Sequence, residues 1–204
     1  MGDRMVPHLA GIMTNDLVGV VSLLGPLFVG FVCHGCCMKF NLLPALAVPV
    51  DGGRKFRGRR LLGANKTFRG FIGVGFGTAF GFLLRAWLGA PGHSGAEPPW
   101  LRQPGAGTFC FGLLVGVAAM LAELPNSFVK RQLDISPGEQ GNRWVGAVFF
   151  VIDQVDMLLG VWLALACVMT ISWSFMAWSS GFLFGAHQVI TLAGYLLGMR
   201  ATWR

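Results

Sequence analysis

From Met157 to Met199 the chain runs forty-three residues without a formally charged side chain. As a single helix that stretch would be about 65 Å long, roughly twice the ~30 Å of a bilayer's hydrocarbon core. It is therefore expected to form two membrane spans, with the turn between Ile171 and Gly181. The rest of the chain repeats the pattern at ordinary length. Leu17 to Met38 is free of charge and predicts a first span, bent near Gly25-Pro26. Gly70 to Ala90 predicts a second, broken by glycines at 73, 75, 77 and 81, with Arg85 snorkelling from its far end. Pro104 to Ala122 predicts a third. The fourth begins near Val145, and the fifth ends near Met199. With 54% hydrophobic and only 12% charged residues, the reading is an all-α, polytopic membrane protein of about five transmembrane helices, taken as one domain over 1–204.

The cations set the orientation. With the N-terminus outside, Lys39, seven cations between residues 51 and 70, Lys130, Arg131, Arg143, Arg200 and Arg204 all fall on the inner side, leaving Arg4, Arg85 and Arg102 outside. Two loops, 39–69 and 124–144, then face the cytoplasm of a cell membrane. The N-terminus has neither the basic region nor the cleavage site of a secretory signal, so the first apolar stretch is expected to stay as a span. Asn41 to Val50 is too short and too proline-rich to cross, which suits an interfacial piece. Pro91 to Gln103 reads as a polar connection.

The first inner loop, DGGRKFRGRRLLGANKTFRG, packs Arg54, Lys55, Arg57, Arg59, Arg60, Lys66 and Arg69 into twenty residues. Charges at that density cannot lie in hydrocarbon, where each costs about 3 kcal/mol or more. The glycines offer backbone amides and the cations offer charge, a combination suited to phosphate. The net charge of +7 is concentrated rather than spread over a polar segment, which argues against nucleic acid as a partner. The five cysteines are odd in number. The CHGCC run from Cys33 to Cys37, with His34 inside it, lacks the second ligand pair of a usual zinc site and reads as free thiols at a membrane boundary.

The second signal is a pair of acids in an apolar setting, FFVIDQVDMLLG. Asp153 and Asp156 are three residues apart and share one face of a helix. They repel each other and lose hydration unless a cation joins them. A divalent metal answers that need, and so does a static network with Arg143, Arg69 or another basic group. Lys130 and Arg131 sit where the chain re-enters the cytoplasm, where they suit a lipid phosphate or a triphosphate, or act as a plain topology signal. Glu123, at the end of span three, is a third acid near the same side, a candidate metal ligand or acceptor. Asp134 and Glu139 read as solvated loop charges. Two acids suited to magnesium beside two basic loops point to phosphoryl or nucleotidyl transfer at the membrane surface.

These residues resemble the CDP-archaeol synthase family, within the membrane CTP:phosphatidate cytidylyltransferase superfamily. Asn41 with Pro44, then Asp51-Gly52-Gly53, Arg59-Arg60, Gly63, and Lys66-Thr67 through Arg69-Gly70 look like that family's first cytoplasmic motif. Ser127, Lys130 and Arg131 ahead of Asp153-Gln154-Val155-Asp156 resemble the superfamily's Ser-x-x-Lys-Arg and Asp-x-x-Asp elements. The resemblance implies magnesium, CTP and a membrane lipid phosphate as partners, with a CDP-lipid and pyrophosphate as products. In that reading Asp153 and Asp156, with Glu123, hold the metal. Lys130 and Arg131 serve catalysis, while Asn41, Asp51, Gly52, Gly53, Arg59, Arg60, Asn65, Lys66, Thr67, Arg69 and Ser127 bind substrate or nucleotide. Where the family has Gly-Asp, this chain reads Ala122-Glu123. Where the superfamily has Lys-Asp after Lys-Arg, it reads Ser136-Pro137. A CTP-dependent lipid kinase and a non-enzymatic lipid-binding or transport protein remain alternatives at this point, and the sequence also admits a homodimer.

Overall fold

The computed structural model describes residues 5–92, 97–136, 143–196 and 198. Arg4, Glu139, Arg200 and Arg204 lie outside the described residues, as does the side chain of Arg143. Five long helices carry the architecture: α1 (Met5–Lys39), α2 (Phe68–Trp87), α3 (Ala106–Gln132), α4 (Arg143–Ala166) and α5 (Trp173–Leu196). Each packs on the next in sequence, and α5 closes back onto α1. Four of them are long and apolar enough to cross a membrane: α1 over Asp16–Lys39, α2, α3, and α4 over Trp144–Ala166. The fifth equals α4 in length but carries Ser179, Ser180, His187, Gln188 and Thr191 among its apolar residues.

Small residues let the helices approach closely. A side chain on Gly77 would meet the Gly30 backbone at 2.7 Å, and one on Gly116 would meet Gly75 at 2.8 Å. The glycines expected to break the second span instead form seams with α1 and α3, and α2 is continuous. This is how apolar helices associate where lipid removes the hydrophobic drive between them. Leu23, Leu24, Leu27, Val74, Phe82, Val115, Leu158 and Val161 fill the interior, whereas Val32, Phe80, Leu84, Leu114, Val151 and Leu163 face outward, as a lipid-facing surface requires.

Two boundaries differ from expectation. The turn between α4 and α5 comes earlier than placed, and α5 starts at Trp173 because Ser172 caps it, its Oγ accepting from the Phe175 amide at 3.1 Å. Ser179 and Ser180 do not break that helix, since both hydroxyls donate back to the Met176 carbonyl. α3 continues through Pro125 to Gln132, so Ser127, Lys130 and Arg131 ride on a helix rather than on a 124–144 loop. Arg85 does not snorkel. It is 5% exposed, with Nη2 2.7 Å from Glu97 Oε2, Nη1 2.6 Å from Oε1, and Nε donating to Ser22. This pair lies at the end of the bundle opposite the basic loop.

Candidate active site

The basic loop folds on itself before it faces anything else. Lys55–Phe56 (β1) and Arg59–Arg60 (β2) pair as an antiparallel hairpin, Phe56 opposite Arg59. Its two-residue turn, Arg57-Gly58, has φ of 52° and 82°, the left-handed pair that matches the twist of two strands. Asp51 anchors the loop. Its Oδ1 accepts from the Gly53 amide at 2.9 Å and from Arg60 at 2.8 Å, and its Oδ2 accepts from the Leu62 amide at 3.0 Å. Burial pushes the Asp51 pKa up, but the two amides and Arg60 outweigh it, and the carboxyl sits below its usual range.

The amides proposed for phosphate are mostly taken up by these turns. Gly52 donates to the Pro49 carbonyl and Gly53 to Asp51. Thr67 caps α2, accepting from the Gly70 amide, and Arg69 donates to Asn41 at 3.2 Å. Arg59 reaches the end of α3, to the Gln132 carbonyl and to Asp134. Asp134 is therefore paired rather than merely solvated. Asp51, Gly52, Gly53, Arg60 and Thr67 are loop builders by geometry.

Other predicted residues converge. On α3, Glu123, Asn126 and Lys130 share a face, because residues three and four apart do so on a helix. On α4, Asp153 and Asp156 meet that face. Lys130 Nζ lies 2.6 Å from both oxygens of Asp153 and 5.3 Å from the centre of the Phe149 ring. Lys66 crosses from the loop to pair with Glu123. Arg131 and Asn65 both flank Gly63, where a side chain would strike Asn65 Oδ1 at 2.3 Å and Arg131 Nε at 3.5 Å. Arg131 also donates to the Ile135 carbonyl. Ser127 is buried in α3.

Asn126 was not singled out by sequence, yet it ties the site together. Its amide nitrogen donates to Asp153 Oδ1 at 2.6 Å and to Asp156 Oδ2 at 2.7 Å. Two oxygens bound to one nitrogen at those lengths converge on one point. The available signal was its position four residues before Lys130. His34, read in the sequence only as part of the CHGCC run, also lies close to this region. It lies on α1 with its backbone 3.2 Å from the Cβ position of Gly73 and its ring against Gly70, within electrostatic reach of Arg69, Glu123 and Lys66. It faces α2 rather than a thiol cluster, and Cys33, Cys36 and Cys37 are free.

The charges decide what this constellation suits. Three carboxylates, Asp153, Asp156 and Glu123, meet two ammonium groups, Lys130 and Lys66, and Asp156 has no cationic partner among the described residues while only 8% exposed. An uncompensated buried carboxylate is costly. Asn126 Oδ1 is also buried with no donor. That donor set fits a magnesium ion, which takes one or two carboxylates and completes its shell with water and substrate phosphates. No group of three or more His, Cys, Asp or Glu is arranged as a metal cage among the described residues, and Glu123 pairs with Lys66. Along α3, Asn126 is six residues in from Gln132, about 9 Å. The site thus lies toward the basic-loop end of α3.

A closed bundle with a carboxylate pair, ammonium groups and a basic loop at one end defines a membrane-embedded transferase acting on phosphates. The CarS-like family, CDP-archaeol synthase, matches residues 31–204. The chain belongs to that family and is a nucleotidyltransferase of lipid biosynthesis. Among its relatives is the CDP-archaeol synthase of Halobacterium salinarum, 35% identical over 147 residues, covering 71% of this chain and 70% of that one. Another is that of Methanoculleus marisnigri, 32% identical over 161 residues, covering 74% and 87%. A solved intramembrane enzyme for archaeal membrane lipids biosynthesis superposes with a TM-score of 0.58 at 22% identity, covering 84% of this chain and 92% of that chain. That likeness supports the fold.

Proposed function

We propose that this protein transfers the cytidylyl group of CTP to the phosphate of an archaeal ether lipid, releasing pyrophosphate. A lipid phosphate oxygen attacks the α-phosphorus, the bond from that phosphorus to the bridging oxygen breaks, and the β- and γ-phosphates leave together. The observation that carries the reading is the convergence of Asp153, Asp156, Asn126 and Lys130 within hydrogen-bond distance of one another, in a member of this family. Asp153 and Asp156 are the residues that would hold magnesium, which when bound neutralises charge on the triphosphate. Asn126 and Lys130 fix the direction of both carboxylates. Lys66, Arg131, Arg69 and Asn65 line the approach and bind phosphate oxygens, with Arg131 suited to a two-point contact. The attacking phosphate is already anionic, so orientation and electrostatics supply the rate and no general base is needed.

The same reading places five helices across the cell membrane, the N-terminus outside and the site facing the cytoplasm, which the thirteen inner cations of the sequence support. Turnover of labelled CTP with magnesium and a panel of lipid phosphates, read by mass spectrometry, tests it. A CDP-lipid with stoichiometric pyrophosphate is expected. CDP with a newly phosphorylated alcohol would instead identify a lipid kinase.

A further inference from the structure

A cavity of about 710 Å³ lies between the basic loop and α3, on the side away from the carboxylate pair. Its floor is Leu121, Leu124, Pro125 and Phe128, and its roof includes Asp51, Gly52 and Arg54. At about 100° per residue, Leu121, Leu124, Pro125 and Phe128 lie on the face of α3 opposite Glu123, Asn126 and Lys130. The helix therefore stands between the cavity and the proposed catalytic groups. Leu121 is 51% exposed on a helix apolar enough to cross a membrane.

The charges at the roof are unequal. Of the hairpin arginines, Arg59 pairs with Asp134, Arg60 pairs with Asp51, and Arg57 stacks 5.3 Å from the Phe56 ring. Arg54 is exposed and has no side-chain partner among the described residues. Asp51, the acid in the lining, is neutralised by Arg60 with its side chain 1% exposed. The cavity thus presents one unpaired cation above an apolar wall, where the basic loop meets α3. A zwitterionic headgroup would bring its own cation to Arg54. A soluble anion would leave the apolar wall unused.

We propose that the cavity is a second, non-substrate site for an anionic membrane phospholipid, with its phosphate on Arg54 and a hydrocarbon chain along Leu121, Leu124 and Phe128. The occupant would stiffen the loop through Asp51, whose carboxylate joins Gly53, Arg60 and Leu62, and so hold Lys66 toward Glu123. That last consequence rests on the catalytic reading above, whereas the binding itself does not.

The test uses the purified full chain in detergent, titrated with phosphatidylglycerol or phosphatidylcholine, followed by thermal unfolding and native mass spectrometry. Neither lipid carries a terminal phosphate monoester to accept a nucleotide. Phosphatidylglycerol is expected to raise Tm and phosphatidylcholine to leave it unchanged. Arg54→Gln, at an exposed position, should raise the half-saturating phosphatidylglycerol by about tenfold, the loss of one charge-assisted contact. Leu124→Trp should block binding by filling the cavity, and Asp153→Asn should bind as the parent does. The proposal is overturned if Arg54→Gln and the parent bind alike, if phosphatidylcholine stabilises equally, or if CTP displaces phosphatidylglycerol. Failure to form a CDP-lipid while phosphatidylglycerol binding persists would sink the catalytic reading alone.

Discussion

Replacing Asn126 by alanine removes one nitrogen that serves two carboxylates. In the parent that nitrogen lies 2.6 Å from Asp153 and 2.7 Å from Asp156, while Lys130 serves only Asp153. After the change Asp153 keeps its cation and Asp156 keeps only the neighbouring Met157 amide. A hydrogen bond to a charged group contributes about 1.5–3 kcal/mol. The two share one donor and are not additive, so about 3 kcal/mol is a fair total for the lost alignment. At 1.36 kcal/mol per decade that is roughly a hundredfold or somewhat more in rate. The expected result for Asn126→Ala is a fall of that size in kcat, little change in KM for CTP, and a higher magnesium requirement, because the two oxygens no longer converge before the ion binds. Thermal unfolding should move by only a few degrees, since the apolar α3–α4 contacts remain. Asn126→Asp should be worse at low magnesium, as it sets a third like charge beside two. An Asn126→Ala enzyme within about threefold of the parent at every magnesium concentration would refute the idea that Asn126 aligns the site.

The remaining predictions concern groups that hold the frame. Glu97→Gln leaves the buried Arg85 cation without its counter-charge and should cost about 3–5 kcal/mol of stability, read as a lower Tm with kcat unchanged, because the pair sits at the opposite end of the bundle. A double change to Arg85→Met and Glu97→Leu should recover most of that loss. Asp51 has a depressed folded pKa, so its stabilisation is present above the unfolded value near 4 and disappears as pH falls through the folded value. The Tm gap between parent and Asp51→Asn should therefore be flat from pH 8 to about 5 and shrink below about pH 4. Glu123→Asp withdraws the carboxylate by one methylene from Lys66, and should lower both Tm and turnover. A rise in turnover would show that Glu123 is poorly set for catalysis.

Much of the site was legible because charge is expensive in hydrocarbon. Asp153, Asp156, Glu123 and Lys130 stand out in apolar text for that reason alone, and their spacing puts each set on a single helical face. The loop was legible only as a basic patch. Its glycines and Asp51 read equally well as a phosphate cradle, and the distinction depends on where each amide points: Gly53 points to Asp51, and Gly52 to Pro49. Hydrogen bonds between residues nine or eleven apart, such as Asp51 with Arg60 and with Leu62, leave no periodic trace. Asn126 carries no such mark, because a neutral amide costs too little to stand out against its neighbours, and His34 drew notice only through the cysteines beside it.

By itself, the amino-acid sequence determined that this chain lives in a membrane, that its cations gather in a few stretches, and that Asp153 and Asp156 share one helical face in apolar surroundings. Those follow from local terms: the transfer cost of each side chain and the fixed periods of helix and bilayer. Only the tertiary structure decided which cation meets which acid, that α3 runs on past Pro125 to bring Asn126 and Lys130 to the α4 carboxylates, and that Arg85 turns inward to Glu97. Pairing across helices depends on the register set by glycine seams such as Gly77 on Gly30 and Gly116 on Gly75. A seam is a property of two surfaces in contact, which no single stretch of sequence contains.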